Sequence, residues 1–189
     1  MNRTSKNSDK RKEELIEIAL SQFLVNGYEK TSIRSILSEA GGEIGMFYHH
    51  FESKEEIYVK ALQLFNERYL QMLELKFNDE TISFENKISF IFEVVPKELE
   101  KYQQLKTEQL DIEILSVIHR ETLLSAIPIF EKLLKTNDQY KNSKLASVNI
   151  RFLAEFILFG ISAIIHDETE NDFAVKEKEI KLIISQLMI

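Results

Sequence analysis

Apolar residues recur along the chain at helical spacing. Leu15, Ile16, Ala19, Leu20, Phe23 and Leu24 fall on one face of a helix predicted to begin near Asp9. Asn26-Gly27 supplies its stop, since glycine tolerates the left-handed conformation at a helix end. Thr31 and Ser32 are cap-type residues before Ile33, Ile36, Leu37 and Ala40, which follow an i, i+3, i+4, i+7 pattern. This second helix is short and ends at Gly41-Gly42, and a third, shorter helix fits 43–49. Ser53 caps a long helix with Glu56 at the capping-box position, and Ile57, Ala61, Leu64, Phe65, Leu73 and Leu75 carry it to about Phe77.

Asn78-Asp79 is the expected boundary. Beyond it the pattern predicts helices over 84–95, stopped or kinked by Pro96, and over 105–119. Pro128 is expected to kink or restart a stretch over 121–135, and 136–144 reads as a polar loop. Residues 145–165 are apolar on most faces, 166–173 form an acidic loop and 175–188 the last helix. A helix apolar nearly all round must be buried on several sides, and a second subunit can supply the extra partner.

Composition supports an all-α chain, with two prolines and five glycines in 189 residues. Cysteine is absent, which excludes disulfides and thiolate metal sites. No apolar run reaches the ~20 residues of a membrane span. The nearest, 152–165, is too short and contains Glu155. The N-terminus lacks the apolar core of a signal peptide, so a soluble cytoplasmic protein without a membrane partner is expected. The net charge is −7, unevenly distributed. Residues 1–60 hold nine Lys/Arg against ten Asp/Glu, residues 61–189 fifteen against twenty-one, and the first twelve five against one. The basic arm is compatible with nucleic-acid binding by the N-terminal end, as well as with an ordinary solvated tail.

Three of the five glycines lie in "SILSEAGGEIGMFYHHFESKEEI", residues 35–57. A metal site on His49-His50 is poorly supported, because adjacent helical side chains point about 100° apart. No HExxH and no Glu-x-x-His pair occurs. No serine has a G-x-S-x-G setting, and "GGEIG" follows a helix rather than a strand, which removes the context of a phosphate loop. Neither a metal, a cofactor nor an enzymatic activity is expected. A short helix, a glycine turn and a second short helix suit a helix-turn-helix whose second helix enters a major groove about 12 Å wide. Ile33, Ile36, Leu37, Ala40 and Phe47 would then pack on Leu20 and Phe23, with Phe51 continuing that face. Glu43, Ile44, Met46, Tyr48 and His49 would remain less committed to the core. Spacing alone equally allows a plain helical hairpin.

From about Lys10 to Ala61 the residues resemble the TetR family of bacterial transcription regulators. The resemblance is carried by "FLVNGYEKTSIRSILSEAG" and above all by "GMFYHHFESKEEI". It implies an N-terminal three-helix helix-turn-helix DNA-binding domain, 1–52, joined to a C-terminal helical bundle, 53–189, for ligand binding and dimerisation. It further implies a ligand-responsive regulator, a repressor, that binds a palindromic double-stranded operator as a homodimer paired through about 145–165 and 175–188. By that resemblance Thr31, Ser32, Tyr48, His49 and Lys54 touch phosphates, and Glu43, Ile44, Gly45 and Met46 face base edges. Arg34 joins the DNA-binding set.

Family members often carry Val where this chain has Gly42. The missing apolar anchor is expected to loosen the recognition helix, and Glu43 to repel phosphate. The inducer is expected to be apolar or cationic. Phe90, Phe92, Tyr102, Phe130, Phe152, Phe156 and Phe159 are candidate pocket walls, with plain core as the alternative. Glu108, Asp111, Glu113 and His119 are candidate polar contacts. The competing reading is a helical small-molecule carrier or enzyme that has lost specific DNA binding; a purely structural helical dimer is a third.

Overall fold

The computed structural model describes residues 3–105, 112–167, 169 and 172–187. Among these the chain is all-α: α1 Arg3–Lys30, α2 Ile33–Ala40, α3 Ile44–His50, α4 Lys54–Asn78, α5 Phe84–Leu105, α6 Ile112–Thr136, α7 Asp138–Asn142, α8 Ile150–Ile165 and α9 Phe173–Leu187. A 3-10 turn over Lys144–Ser147 precedes α8. Two compact units result, residues 1–68 with 99–118, and residues 69–98 with 119–189.

The first unit is built on α1. Leu15, Ala19 and Phe23, four residues apart, are fully buried. They pack with Ile36, Leu37 and Ala40 of α2, Phe47 of α3, Phe51, and Ile57, Tyr58, Ala61, Leu62 and Phe65 of α4. Phe23, Tyr28 and Tyr58 form an aromatic cluster, with Tyr58 edge-on to Phe23 at 5.1 Å and to Tyr28 at 4.9 Å. The buried Tyr58 hydroxyl donates to the Leu105 carbonyl. α1 starts six residues before the expected Asp9, and it breaks at Gly27, where φ is 76° and ψ 167°, before one more turn to Lys30. The predicted stop is therefore a kink.

In the second unit α8 buries Leu153, Ala154, Ile157, Leu158, Ile161 and Ile165, and α9 buries Ile180 and Ile184. Phe77 and Phe130 meet edge to face at 5.6 Å. Lys176 is also buried. Its ammonium donates to the carbonyls of Ile165 and Asp167 at 2.8 and 2.7 Å, answering acceptors that the end of α8 leaves free.

Several expected boundaries are overturned. α5 runs through Pro96 to Leu105, and α6 is a single helix through Pro128 to Thr136. A proline inside a helix costs about 3 kcal/mol. Val94 and Val95 on one side of Pro96, and Ala126, Ile127 and Phe130 around Pro128, are buried and outweigh it. The expected loop over 136–144 contains α7, because Asn137 accepts from the Tyr140 amide at 2.8 Å and Tyr140 is buried. α8 starts at Ile150 rather than near 145, since Asn149 caps it through the Arg151 amide.

Gly41 ends α2 with φ 65° and ψ 42°, and the Gly42 amide donates to the Leu37 carbonyl at 2.9 Å. A Cβ on Gly41 would meet nothing within 4 Å, so only the backbone conformation penalises a side chain there. Gly41→Ala is expected to cost about 1 kcal/mol. In a chain of this length that lowers the Tm by about 2–4 °C, measurable by thermal circular dichroism.

Candidate nucleic-acid interface

Polar contacts hold α2 in place from both ends. At its start Ser32 accepts from the Ser35 amide at 3.0 Å, and the Ser35 hydroxyl accepts from the Ser32 amide at 3.1 Å. Gln22 of α1 accepts from the Ser35 hydroxyl at 2.7 Å and donates to Glu39 at 2.7 Å. At the other end Arg11 Nη2 donates to the Ala40 carbonyl at 2.5 Å, and its Nη1 pairs with Glu14 at 2.6 Å. Arg11 and Gln22 were not among the sequence candidates. Arg11 stands four residues before Leu15, on the core-facing side of α1, and that spacing was its only signal.

α3 presents two faces. Phe47 is buried, and Phe51, just beyond the helix, is buried beside it with ring centroids 5.5 Å apart. Glu43, Ile44, Gly45, Tyr48 and His49 are exposed, Ile44 at 51% and Tyr48 at 58%. Met46 differs from the rest of its predicted set: it is half-buried and packs against the core. The apolar anchor expected to be missing at Gly42 is supplied by another residue. A Cβ there would fall 1.9 Å from the Met46 methyl, 3.0 Å from its sulfur and 3.4 Å from Leu37 Cδ2.

Thr31 is a correction. It is buried at the α1–α2 turn, and its hydroxyl donates to the Gly27 and Gln22 carbonyls at 2.9 and 3.2 Å. Its amide donates to the Tyr28 carbonyl at 3.2 Å. With both donors used inside the fold, Thr31 shapes the turn and presents nothing at the surface. Ser32 and Arg34 are exposed beside it.

Lys54 opens α4, with its ammonium 3.9 Å from the centre of the Tyr28 ring. The Tyr28 hydroxyl donates to Glu55 at 2.7 Å. Burial, then the Glu55 carboxylate, pushes the Tyr28 hydroxyl above the ordinary tyrosine range. The same hydrogen bond is the first cause holding Glu55 below the usual glutamate value. Ser53 caps α4 through the Glu56 amide at 3.2 Å, while the Glu56 carboxylate accepts from the Glu52 amide at 2.6 Å. His49 and His50 have ring centres 4.8 Å apart, and His50 is held below its usual value by burial, then by His49, Lys12 and Arg11.

Phe130 packs on Phe77, Phe90 lies under the Lys76 ammonium at 4.9 Å, and His119 Nε2 is 3.0 Å from the Ser162 hydroxyl with its ring 5.0 Å from His166. Phe152 and Phe156 are a correction: they are 65% and 70% exposed on the outer side of α8, because Leu153, Ala154, Ile157 and Leu158 take its inner side. Tyr102 lies in α5, its side chain outside the described set, and Glu108 and Asp111 lie outside the described residues.

Residues 15–61 match the family model for bacterial regulatory proteins of the tetR family. This N-terminal segment belongs to the TetR family. Over 68 residues the chain is 37% identical to the HTH-type transcriptional repressor KstR2 of Mycolicibacterium smegmatis, covering 34% of this chain and 33% of that protein. Matches to such curated TetR-family relatives thus span about a third of their length. The fold extends further. A transcriptional regulator from Cytophaga hutchinsonii superposes with a TM-score of 0.69 at 15% identity, covering 93% of this chain and 95% of that one. The regulator FadR of Bacillus subtilis, solved in complex with stearoyl-CoA, does so with a TM-score of 0.55 at 21% identity, covering 91% and 97%. The TetR helix-turn-helix followed by further helices is therefore the fold of this chain, and no helix among the described residues is long and apolar enough to cross a membrane.

The Tyr28–Glu55 bond carries a testable pH dependence. Glu55 is depressed in the fold, so its contribution is complete above the ordinary glutamate pKa of about 4.3 and vanishes as pH falls through the lower folded value. Glu55→Gln is expected to lower stability at pH 7 and to approach wild type near pH 3, as read from urea unfolding at both values.

Proposed function

We propose that the protein is a ligand-responsive transcriptional repressor that binds a palindromic operator as a homodimer. The observation that carries this reading is the exposed outer face of α3 on a TetR-family headpiece whose inner face is fully buried. In this reading residues 1–52 form the DNA-binding domain and residues 53–189 the ligand and dimerisation domain. Glu43, Ile44 and Gly45 face base edges. Glu accepts from cytosine N4, and Ile meets a thymine methyl. Ser32 and Arg34 at the start of α2, with Tyr48, His49 and Lys54, contact phosphates. Buried Thr31 acts through the turn it shapes. Action on DNA places the protein in the cytoplasm.

The dimer reading is supported by the outer side of α8 and α9. Phe152 and Phe156 on α8, and Leu182 and Ile183 on α9, are large apolar residues left at the surface. Unpartnered apolar surface of this kind marks an interaction site, and two-fold symmetry is its commonest form. The inducer is an apolar or cationic small molecule. Support for an apolar one comes from FadR, solved in complex with stearoyl-CoA, and from the aromatic content of the second unit. Phe90, Phe130 and His119, with Tyr102, Glu108 and Asp111, remain its candidate contacts.

Binding of the full chain to a duplex from upstream of its own gene, followed by fluorescence anisotropy over a salt series, tests the first part. Specific affinity falling steeply with salt is expected, and Arg34→Ala should weaken all sequences alike and reduce the salt slope by about 1. No sequence-selective binding in any ligand state sinks the reading. For the dimer, Phe156→Glu is expected to convert a dimer to a monomer in light scattering without loss of helix content; an unchanged mass places the interface elsewhere.

A further inference from the structure

α3 has only seven residues, and its N-cap, Glu43, makes no side-chain cap hydrogen bond. Helices this short gain their stability from tertiary contacts. Phe47 and Phe51 anchor one side, which leaves rotation about that anchor to be resisted elsewhere. Met46 is the next position around the helix, and its side chain folds back over the turn into the place a side chain on Gly42 would take. The flexible thioether suits such an irregular seat. Arg11 fastens it there. Its Nε lies 3.1 Å from the Met46 sulfur, while Nη2 donates to the Ala40 carbonyl at 2.5 Å and approaches the Gly41 carbonyl at 3.5 Å. One guanidinium thus joins α1, the free carbonyls at the end of α2, and α3.

We infer that Met46 is a positioning residue, not a base-reading one: with Arg11 it anchors the recognition helix from the seat that Gly42 leaves open. Base reading by the first turn of α3 then falls to Glu43, Ile44 and Gly45 alone. The DNA part of this inference rests on the function proposed above; the packing part does not.

The pair can be exchanged. Gly42→Val adds as many heavy atoms as Met46→Ala removes, so the double variant conserves volume at the seat. The experiment uses the full chain as wild type, both single variants and the double variant, with thermal unfolding and selection from a random-sequence duplex library as readouts. Met46→Ala is expected to lower the Tm by about 2–4 °C, as the loss of roughly 1 kcal/mol does in a chain of this size. It should weaken every selected duplex by a similar factor, with base preference unchanged. Gly42→Val should raise the Tm on the Met46→Ala background and restore affinity, but should not raise the Tm on wild type, where it must expel Met46. Arg11→Lys should reproduce the uniform weakening, because lysine cannot span the sulfur and the carbonyls together. Equal Tm shifts from Gly42→Val on both backgrounds overturn the inference. So does a base preference altered by Met46→Ala and not restored in the double variant. If wild type selects no duplex, the regulator reading fails, and the Tm comparison alone still upholds or overturns the seat.

Discussion

Phe47 decides whether α3 forms and shows an exposed outer face at all. α3 is two turns long, and a helix of that length is unstable alone in water, where nucleation costs more than so few hydrogen bonds return. Burying Phe47 and Phe51 against α1, α2 and α4 stabilises it, with each large side chain contributing about 1.5–3 kcal/mol. With Phe47 inward, Tyr48, about 100° further around the helix, turns toward solvent, and Ile44 stays exposed in the first turn.

A polar frame then fixes how that helix is aimed. Ser32, Ser35 and Gln22 lock the start of α2 to α1, and Thr31 uses its hydroxyl to close the turn at Gly27. Arg11 closes the far end. The Lys54–Tyr28–Glu55 contacts set the start of α4 beside them. These groups sit at the rim of the core, where each hydrogen bond contributes modestly, about 0.5–1.5 kcal/mol, but restricts direction more than apolar packing does. With Met46 over Gly42, the turn does not lack an apolar anchor.

The second unit follows another economy. α8 is apolar on most faces, yet only its inner side is buried, and Phe152 and Phe156 stand outside it. Its C-terminal carbonyls are answered by Lys176, a charged residue held inside because its ammonium is hydrogen-bonded twice.

Helical periodicity by itself determined the number of headpiece helices and their inward residues, because Leu15, Ala19, Phe23, Ile36, Leu37 and Phe47 recur at the period of the helix. Glycine at 41 marked the end of α2 for a local reason, its left-handed backbone. Tertiary structure decided what local rules cannot carry. Prolines 96 and 128 stayed inside helices because buried neighbours outweighed their cost. The family resemblance makes Thr31 a phosphate-contact and Met46 a base-face candidate, but packing drew them inward: the Gln22 and Gly27 carbonyls hold one, Arg11 and the space at Gly42 the other. A residue's spacing states which neighbours along the helix it shares a side with. Which side chain from thirty-five residues away fills the space beside it is settled only when the helices meet.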